Sequence, residues 1–147
     1  MNAQSFSKPI HVLGIGSPFG ADSFGWDMID ELKKHDTDLV LHKLLNPITE
    51  IMPAIAGAGS VIVVDALVGG EEGVTFFDHY SNWLPKDNKN SSHGIGIIEA
   101  LQLANQLGEL AEGCYVYATY VGDQANIQQH VDKVLHFTGL FGKLIAI

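Results

Sequence analysis

Apolar runs alternate along the chain with stretches whose apolar residues recur every three or four positions. The runs predict five β-strands, and the helical spacing predicts helices that begin near Phe24, Ile48, Ile95 and Ile127. Only eight residues separate the third strand from the fourth, fewer than a parallel crossover needs, so the fourth strand is predicted to be antiparallel. The strands are predicted at Ile10–Gly14, Leu39–Leu44, Val61–Asp65, Val74–Asp78 and Tyr115–Val121.

Strands that alternate with helices favour an α/β fold. We predict a three-layer α/β/α sandwich around a twisted, mostly parallel, five-stranded sheet, formed as one domain by residues 1–147. In such sheets, ligands bind beyond the carboxyl ends of the strands. Polar residues that follow the strands are therefore the candidates for a site.

Composition narrows the class of partner. The formal net charge is −9, and the eight basic residues are all lysines, which disfavours nucleic acid and suits a basic peptide or a metal ion. The first ten residues lack the apolar run of a signal peptide, and no segment is long and apolar enough to insert into a membrane. Cys114 is the only cysteine, so it forms no internal disulfide and is expected to be buried. We expect a cytoplasmic protein.

The glycine-rich segment GIGSPFGADSFG, residues 14–25, follows the first strand but does not match a nucleotide-binding loop. Phe19 stands where the dinucleotide fingerprint needs its third glycine, and the lysine of the Walker motif is missing. Asp22 would repel a phosphate at the start of the helix. Asp22 and Ser23 suit helix capping, and Asp22 also suits a metal ligand.

Two further residues are candidates for chemistry. Asp65 follows the apolar run VIVV at the end of a predicted central strand, where a carboxylate is either a structural acid or part of a site. His93 follows two serines and precedes the third helix, as an exposed loop residue or a ligand. The other six histidines show no close metal-ligand spacing, and His130 and His136 are expected on the outer faces of the last helix.

Three segments together resemble the nickel–iron hydrogenase maturation endopeptidases. GIGSPFGADSFG is similar to their opening loop, typically G-x-G-N-x-x-x-x-D-[DE]-G-x-G. IVVDAL resembles their second motif, an apolar strand that ends in Asp-Ala, and SSHGIG resembles their third, a histidine between a loop and a helix. The matches span residues 12–98 in the family's order, and the family's fold is a three-layer α/β/α sandwich.

The resemblance implies an endopeptidase that removes the C-terminal extension of a hydrogenase large-subunit precursor after nickel insertion. It implies no permanent cofactor, because the substrate supplies the nickel; cadmium or zinc is expected to substitute in vitro. The family's ligands correspond directly to Asp65 and His93. The opening motif is one residue shorter here, so its ligand falls on Ser23 or on Asp22. We favour Asp22, because a carboxylate is a better ligand for a divalent ion than a hydroxyl.

Asp22, Asp65 and His93 are thus the predicted catalytic and metal-binding residues of a monomeric processing enzyme that acts on a protein partner. Two alternatives remain open. One is a non-proteolytic nickel-sensing relative in which the shortened first motif has lost activity. The other is a stand-alone metallohydrolase that carries its own ion, which metal analysis of the purified protein would reveal.

Overall fold

The computed structural model describes residues 8–18, 20–35, 37–67, 69–83, 94–121 and 126–146. Its helices are α1 (Phe24–Leu32), α2 (Pro47–Ala54), α3 (Gly94–Gln106) and α4 (Ile127–Ala146). Its strands are β1 (Ile10–Ile15), β2 (Val40–Leu44), β3 (Ser60–Leu67), β4 (Thr75–His79) and β5 (Gly113–Tyr120). The sequence predicted each of these elements, and the predicted strand bounds and helix starts lie within two residues of the observed ones.

The five described strands form one sheet in the order β2-β1-β3-β5-β4. β1, β2, β3 and β5 are parallel, whereas β4 pairs antiparallel with β5. This confirms both the mostly parallel sheet and the antiparallel fourth strand. β3 lies in the middle of the sheet and is buried along its whole length, as its apolar run VIVV, residues 61–64, predicts.

Two apolar clusters cover the two faces of the sheet, which confirms the three-layer architecture. One cluster joins α2 and α3 to alternate residues of β1, β3 and β5, including Leu13, Val63 and Val116. The other joins α1 and α4 to the intervening residues, including Val12 and Val64. Burial of each such side chain contributes about 1.5–3 kcal/mol relative to an exposed position.

Helix boundaries follow local chemistry. Asn46 caps α2 by accepting a hydrogen bond from the Ile48 backbone N–H, and Pro47 occupies the first turn. Asn126 accepts a hydrogen bond from the Gln129 backbone N–H at the start of α4, as the sequence predicts. Helical spacing in the sequence predicts an apolar face of α3 from Ile97 to Leu107; Ile97 is buried, but Leu107 is 59% exposed. That part of the prediction is wrong because α3 ends at Gln106, one residue earlier.

The predicted position of His130 is also wrong. This residue was expected on an outer face of α4 but is only 8% exposed, and its Nδ1 atom lies 2.6 Å from the hydroxyl of Tyr117. Its position three residues after Ile127 and four before Val134 places it on the apolar face of the helix. The helical spacing therefore indicated that His130 is buried. The prediction of an outer face was based instead on the polar character of histidine. His136 is exposed, as predicted.

Candidate functional site

The segment between β1 and α1 is a compact turn built around glycines. A 3₁₀ turn, Gly20–Ser23, precedes α1. The Ser17 backbone N–H donates a hydrogen bond of 3.0 Å to the carbonyl of Asp22, which folds the segment back on itself. The Gly16 N–H donates a bond of 3.0 Å to the carbonyl of Leu44 at the end of β2. The turn is thereby fixed at the carboxyl edge of the sheet.

The glycines of the motif are required by close backbone packing. A Cβ atom on Gly16 would lie 2.2 Å from the carbonyl oxygen of Asp22. A Cβ atom on Gly14 would lie 2.3 Å from the carbonyl oxygen of Gly25, and one on Gly25 would lie 2.2 Å from that of Ile15. The glycines therefore let α1 approach β1 and let the turn close over the strand end.

Trp26 covers the outer side of this turn. Its indole Nε1–H donates a hydrogen bond of 3.1 Å to the same Leu44 carbonyl. The ammonium group of Lys43 lies 5.6 Å from the centre of the Trp26 ring and makes an ion pair of 2.7 Å with Asp30. These contacts connect α1 to β2 and hold the start of the helix beside the ends of the two strands.

Ser23 does not cap α1 with its side chain, although it is the residue before the helix. Its hydroxyl instead donates a hydrogen bond of 2.8 Å to Oδ2 of Asp27. The sequence-based expectation of a side-chain cap at Ser23 is therefore wrong. The reason is the backbone: Ser23 has φ −78° and ψ −9°, in the helical region, and the preceding 3₁₀ turn already leads into α1. Side-chain capping needs an extended residue at this position.

Asp65 is buried in the central strand, with 1% of its surface exposed. The sequence predicted that the strand ends at Asp65, but β3 continues to Leu67, and Asp65 is paired in register with Ala118 of β5. Gly14 of β1 is paired with Val64, so Asp65 lies level with the end of β1 and the glycine turn. Burial of a carboxylate has a large free-energy cost unless partners compensate for it. The position of Asp65 is therefore a candidate for a functional site.

The face to which Asp65 belongs is the one covered by α2 and α3. Side chains alternate along a strand, and Val63 and Leu67 both pack in the cluster that contains α3. The first turn of α3 reaches the carboxyl edge on this face. A Cβ atom on Gly96 would lie 3.1 Å from Cγ1 of Ile48 and 3.3 Å from Cγ of Pro47, and the first turn of α2 follows the end of β2.

The structure thus brings the turn that carries Asp22, the strand that carries Asp65 and the first turn of α3 to one edge of the sheet. His93 lies outside the described residues, immediately before Gly94 in the sequence. Within the described ranges, no three histidine, cysteine, aspartate or glutamate side chains are grouped so as to hold a metal ion. The predicted ligand set includes His93, so it stays a prediction.

Two histidine contacts on the described strands and helices are not predicted by the sequence pattern. Nδ1 of His11 lies 2.8 Å from the carbonyl oxygen of Ala54 and 3.1 Å from Nε2 of His42. Burial, and then the neighbouring His11, lower the pKa of His42. On the opposite face, burial lowers the pKa of His130 and raises that of Tyr117 to about 12. Both pairs bridge different elements, so the partner of each histidine could not be read from local spacing, although helical spacing places His130 on the apolar face of α4.

Several solved structures of proteases have a fold similar to that of this chain. The chain is similar to an endopeptidase from Escherichia coli, with 16% identity, a TM-score of 0.66, and coverage of 88% of this chain and 89% of that one. It is also similar to the NiFe hydrogenase maturation protease HybD from Thermococcus kodakarensis, with 14% identity, a TM-score of 0.62, and coverage of 91% and 99%.

A third similar structure is the NiFe hydrogenase maturation protease HycI from Thermococcus kodakarensis KOD1. It has 21% identity to the chain, a TM-score of 0.57, and coverage of 98% of this chain and 95% of that one. No protein-family model and no curated protein sequence matches the chain. The chain therefore has the fold of these maturation proteases. Among the helices that the structure describes, none is both long and apolar enough to cross a membrane.

Proposed function

We propose that this protein is a processing endopeptidase that removes the C-terminal extension of a nickel–iron hydrogenase large-subunit precursor after nickel has been inserted. The observation that carries the proposal is the burial of Asp65 in the central strand, level with the turn that carries Asp22. The fold shared with solved hydrogenase maturation proteases supports the same conclusion. The three sequence motifs provide the third line of support.

In this proposal, Asp22, Asp65 and His93 bind nickel that arrives with the substrate. Two carboxylates and one imidazole form a donor set that suits a borderline divalent ion. Three ligands leave coordination positions for groups of the substrate. The bound ion would position the scissile carbonyl or activate a water molecule, and the two roles are separate hypotheses. A set without thiolates binds modestly, which suits a metal that stays with the substrate.

The experiment that tests the proposal uses purified protein with nickel-loaded and nickel-free large-subunit precursor. The proposal predicts that only the loaded precursor is shortened, as a mobility shift on a denaturing gel. Asp65→Asn and His93→Ala should abolish the shift, because Asn keeps the shape of Asp but removes the charge that attracts the ion. Asp132→Asn, an exposed change on α4, is the matched control and should cleave normally.

Each alternative predicts a different outcome. If neither precursor is cleaved by folded protein, the non-proteolytic nickel-sensing relative is the better interpretation. If the purified protein contains one tightly held metal ion per chain, the stand-alone metallohydrolase is favoured. If Asp65→Asn unfolds the protein, as judged by circular dichroism, Asp65 is a structural acid. Cleavage by folded Asp65→Asn and by His93→Ala would remove both residues from the reaction.

The shortened first motif is tested by a second pair of variants. We propose that Asp22 is its ligand, so Asp22→Ala should lose as much cleavage as His93→Ala. Ser23→Ala should retain cleavage, and its stability should change little, because its hydroxyl bonds to the exposed Asp27 and not to the helix start. Titration of cadmium into both variants, monitored by precursor cleavage, distinguishes them. Normal cleavage by Asp22→Ala would show that the first motif is degenerate here.

We further propose that the enzyme acts as a monomer in the cytoplasm. The acidic net charge of −9 suits a soluble enzyme that meets a protein substrate in solution. Sedimentation of the free protein and fractionation of cells that express it are the corresponding measurements.

A further inference from the structure

Two histidines from neighbouring strands meet beside the end of α2. His11 lies near the start of β1, and His42 lies in the middle of β2. Nδ1 of His11 lies 3.1 Å from Nε2 of His42 and 2.8 Å from the carbonyl oxygen of Ala54, the last residue of α2. The centres of the two rings are 5.1 Å apart, and their planes are inclined by 25°. One imidazole nitrogen therefore has two further potential metal donors beside it, each from a different element.

This group is separate from the candidate site. His11 is paired in register with Val61 of β3, which lies four residues before Asp65 on the same strand. A strand advances about 3.3 Å per residue, so the two histidines lie about 13 Å from Asp65 along the direction of the strands. One metal ion cannot bridge that distance. Any ion bound by the histidines is therefore a different ion from the one proposed at Asp65.

Hydrogen bonding alone does not satisfy all of these atoms at once. Nδ1 of His11 carries either one proton or one lone pair. With the proton, the Ala54 oxygen and Nε2 of His42 have to share a single hydrogen atom. With the lone pair, the nitrogen accepts from His42 but faces the lone pairs of the Ala54 oxygen. A metal ion removes this conflict, because it accepts a lone pair from each of the three atoms.

The surroundings also favour a bound cation. The Ala54 carbonyl belongs to the last turn of α2, where the carbonyl groups give the helix end a partial negative charge. Burial, and then the neighbouring His11, lower the pKa of His42, so its ring is neutral at neutral pH, which is the form that binds metals. His11 is 6% exposed, whereas His42 is half-buried. Water can therefore reach the group from the side of His42.

We propose that Nδ1 of His11, Nε2 of His42 and the carbonyl oxygen of Ala54 bind a divalent late-transition-metal ion such as zinc, nickel or copper. Imidazole is a good ligand for all three ions. With metal–nitrogen bonds of about 2.0–2.1 Å, nitrogens 3.1 Å apart subtend an angle of about 100° at the ion, between the octahedral and tetrahedral values. Water completes the coordination. The ion joins β1, β2 and α2, so it should stabilise the folded chain.

NMR of the histidine nitrogens in the isotope-labelled full chain identifies the donor atoms. The probe is zinc, which is diamagnetic and has no geometric preference of its own. His93→Ala is used as the background, so that the candidate site lacks one of its predicted ligands. Zinc should convert Nδ1 of His11 and Nε2 of His42 to metal-bound nitrogens, with the proton of His11 on Nε2. Magnesium, which prefers oxygen ligands, should change neither ring, and the exposed His136 is the internal reference.

Variants test the affinity and its effect on stability. Zinc should raise the Tm of the His93→Ala protein, because the ion binds the folded chain in preference to the unfolded one. His42→Gln should weaken zinc binding at least tenfold and remove the rise in Tm, since loss even of a group that only supports a ligand costs about 10–100-fold. His136→Gln is the matched control and should bind zinc normally. His11→Gln changes a buried residue, and if it does not fold, the NMR experiment on the His93→Ala protein decides.

The outcomes separate this site from the proposed function. Zinc that is bound after His93→Ala and lost after His42→Gln supports the histidine site, and an ion held at His93 by a stand-alone metallohydrolase would behave in the opposite way. Zinc that is lost after His93→Ala and kept after His42→Gln would overturn the proposal. Unchanged His11 and His42 resonances at saturating zinc would overturn it too. Folded His42→Gln should cleave nickel-loaded precursor normally, so zinc binding at the histidines and precursor cleavage can each fail without the other.

Discussion

Substitution of Gly16 by alanine tests whether the glycine turn positions Asp22. The added Cβ atom would lie 2.2 Å from the carbonyl oxygen of Asp22, whereas its next contacts, at 3.5 and 3.7 Å, are ordinary. The clash is therefore confined to one backbone atom of the turn. Relief requires that the Asp22 carbonyl retreat by about 1 Å, because nonbonded carbon contacts normally exceed about 3 Å.

The cost can be calculated from this geometry. The retreat lengthens the 3.0 Å hydrogen bond from the Ser17 N–H to the Asp22 carbonyl. Loss of one such bond costs about 0.5–1.5 kcal/mol, and overpacking in a well-packed region costs about 1–3 kcal/mol. The two contributions describe one relaxation and are not added. We expect Gly16→Ala to lower the free energy of unfolding by about 1–3 kcal/mol.

The stability assay is urea unfolding monitored by circular dichroism, with thermal unfolding as a second measurement. For a chain of this length, the expected loss corresponds to about 3–10 °C in Tm. The matched control is Gly139→Ala in α4, where an added Cβ meets nothing within 4 Å. Alanine is the better helix former, so the control should gain about 0.5–1 kcal/mol. The same chemical change thus has opposite predicted signs at two positions.

Activity provides the functional part of this prediction. A displacement of about 1 Å in a catalytic group can reduce the rate about 100-fold. Gly16→Ala should therefore cleave the nickel-loaded precursor much more slowly than wild type under conditions in which both are fully folded. Wild-type stability would refute the packing argument. Wild-type cleavage together with reduced stability would show that the position of Asp22 does not limit the reaction.

Two further predictions concern titratable groups that are buried or half-buried. Burial holds the pKa of His42 and His130 below the ordinary 6.5, so below pH 6.5 the unfolded chain binds more protons than the folded chain. The free energy of unfolding should decrease as the pH falls from 6.5 through the folded-state pKa values, and His42→Gln should flatten that decrease in urea titrations. Burial raises the pKa of Cys114 to about 12, so Ellman's reagent should detect one thiol at pH 8 only after unfolding.

The features of the fold that the sequence predicted correctly depend on local, periodic patterns of apolar residues and on connection lengths. Phe24, Met28, Ile29 and Leu32 are buried on α1, as their helical spacing indicates. The antiparallel direction of β4 followed from the length of one connection. The end of β3 was misplaced because the acid at position 65 resembles a strand terminus. The strand instead continues because pairing with Thr119 and Tyr120 of β5 extends it, and that information is remote in the sequence.

The candidate site was also only partly predictable from the sequence. Asp22 could be selected because it follows the first strand, but the sequence did not show that Ser23 adopts a helical backbone and makes no side-chain cap. The glycines at 14, 16 and 25 resemble a phosphate-binding loop, yet the contacts of their missing Cβ atoms involve mainly the protein's own backbone. A glycine pattern therefore reports how closely a helix approaches a strand and not what the turn binds. The identity of a ligand has to be inferred from the side chains at the same edge, here the carboxylates of Asp22 and Asp65.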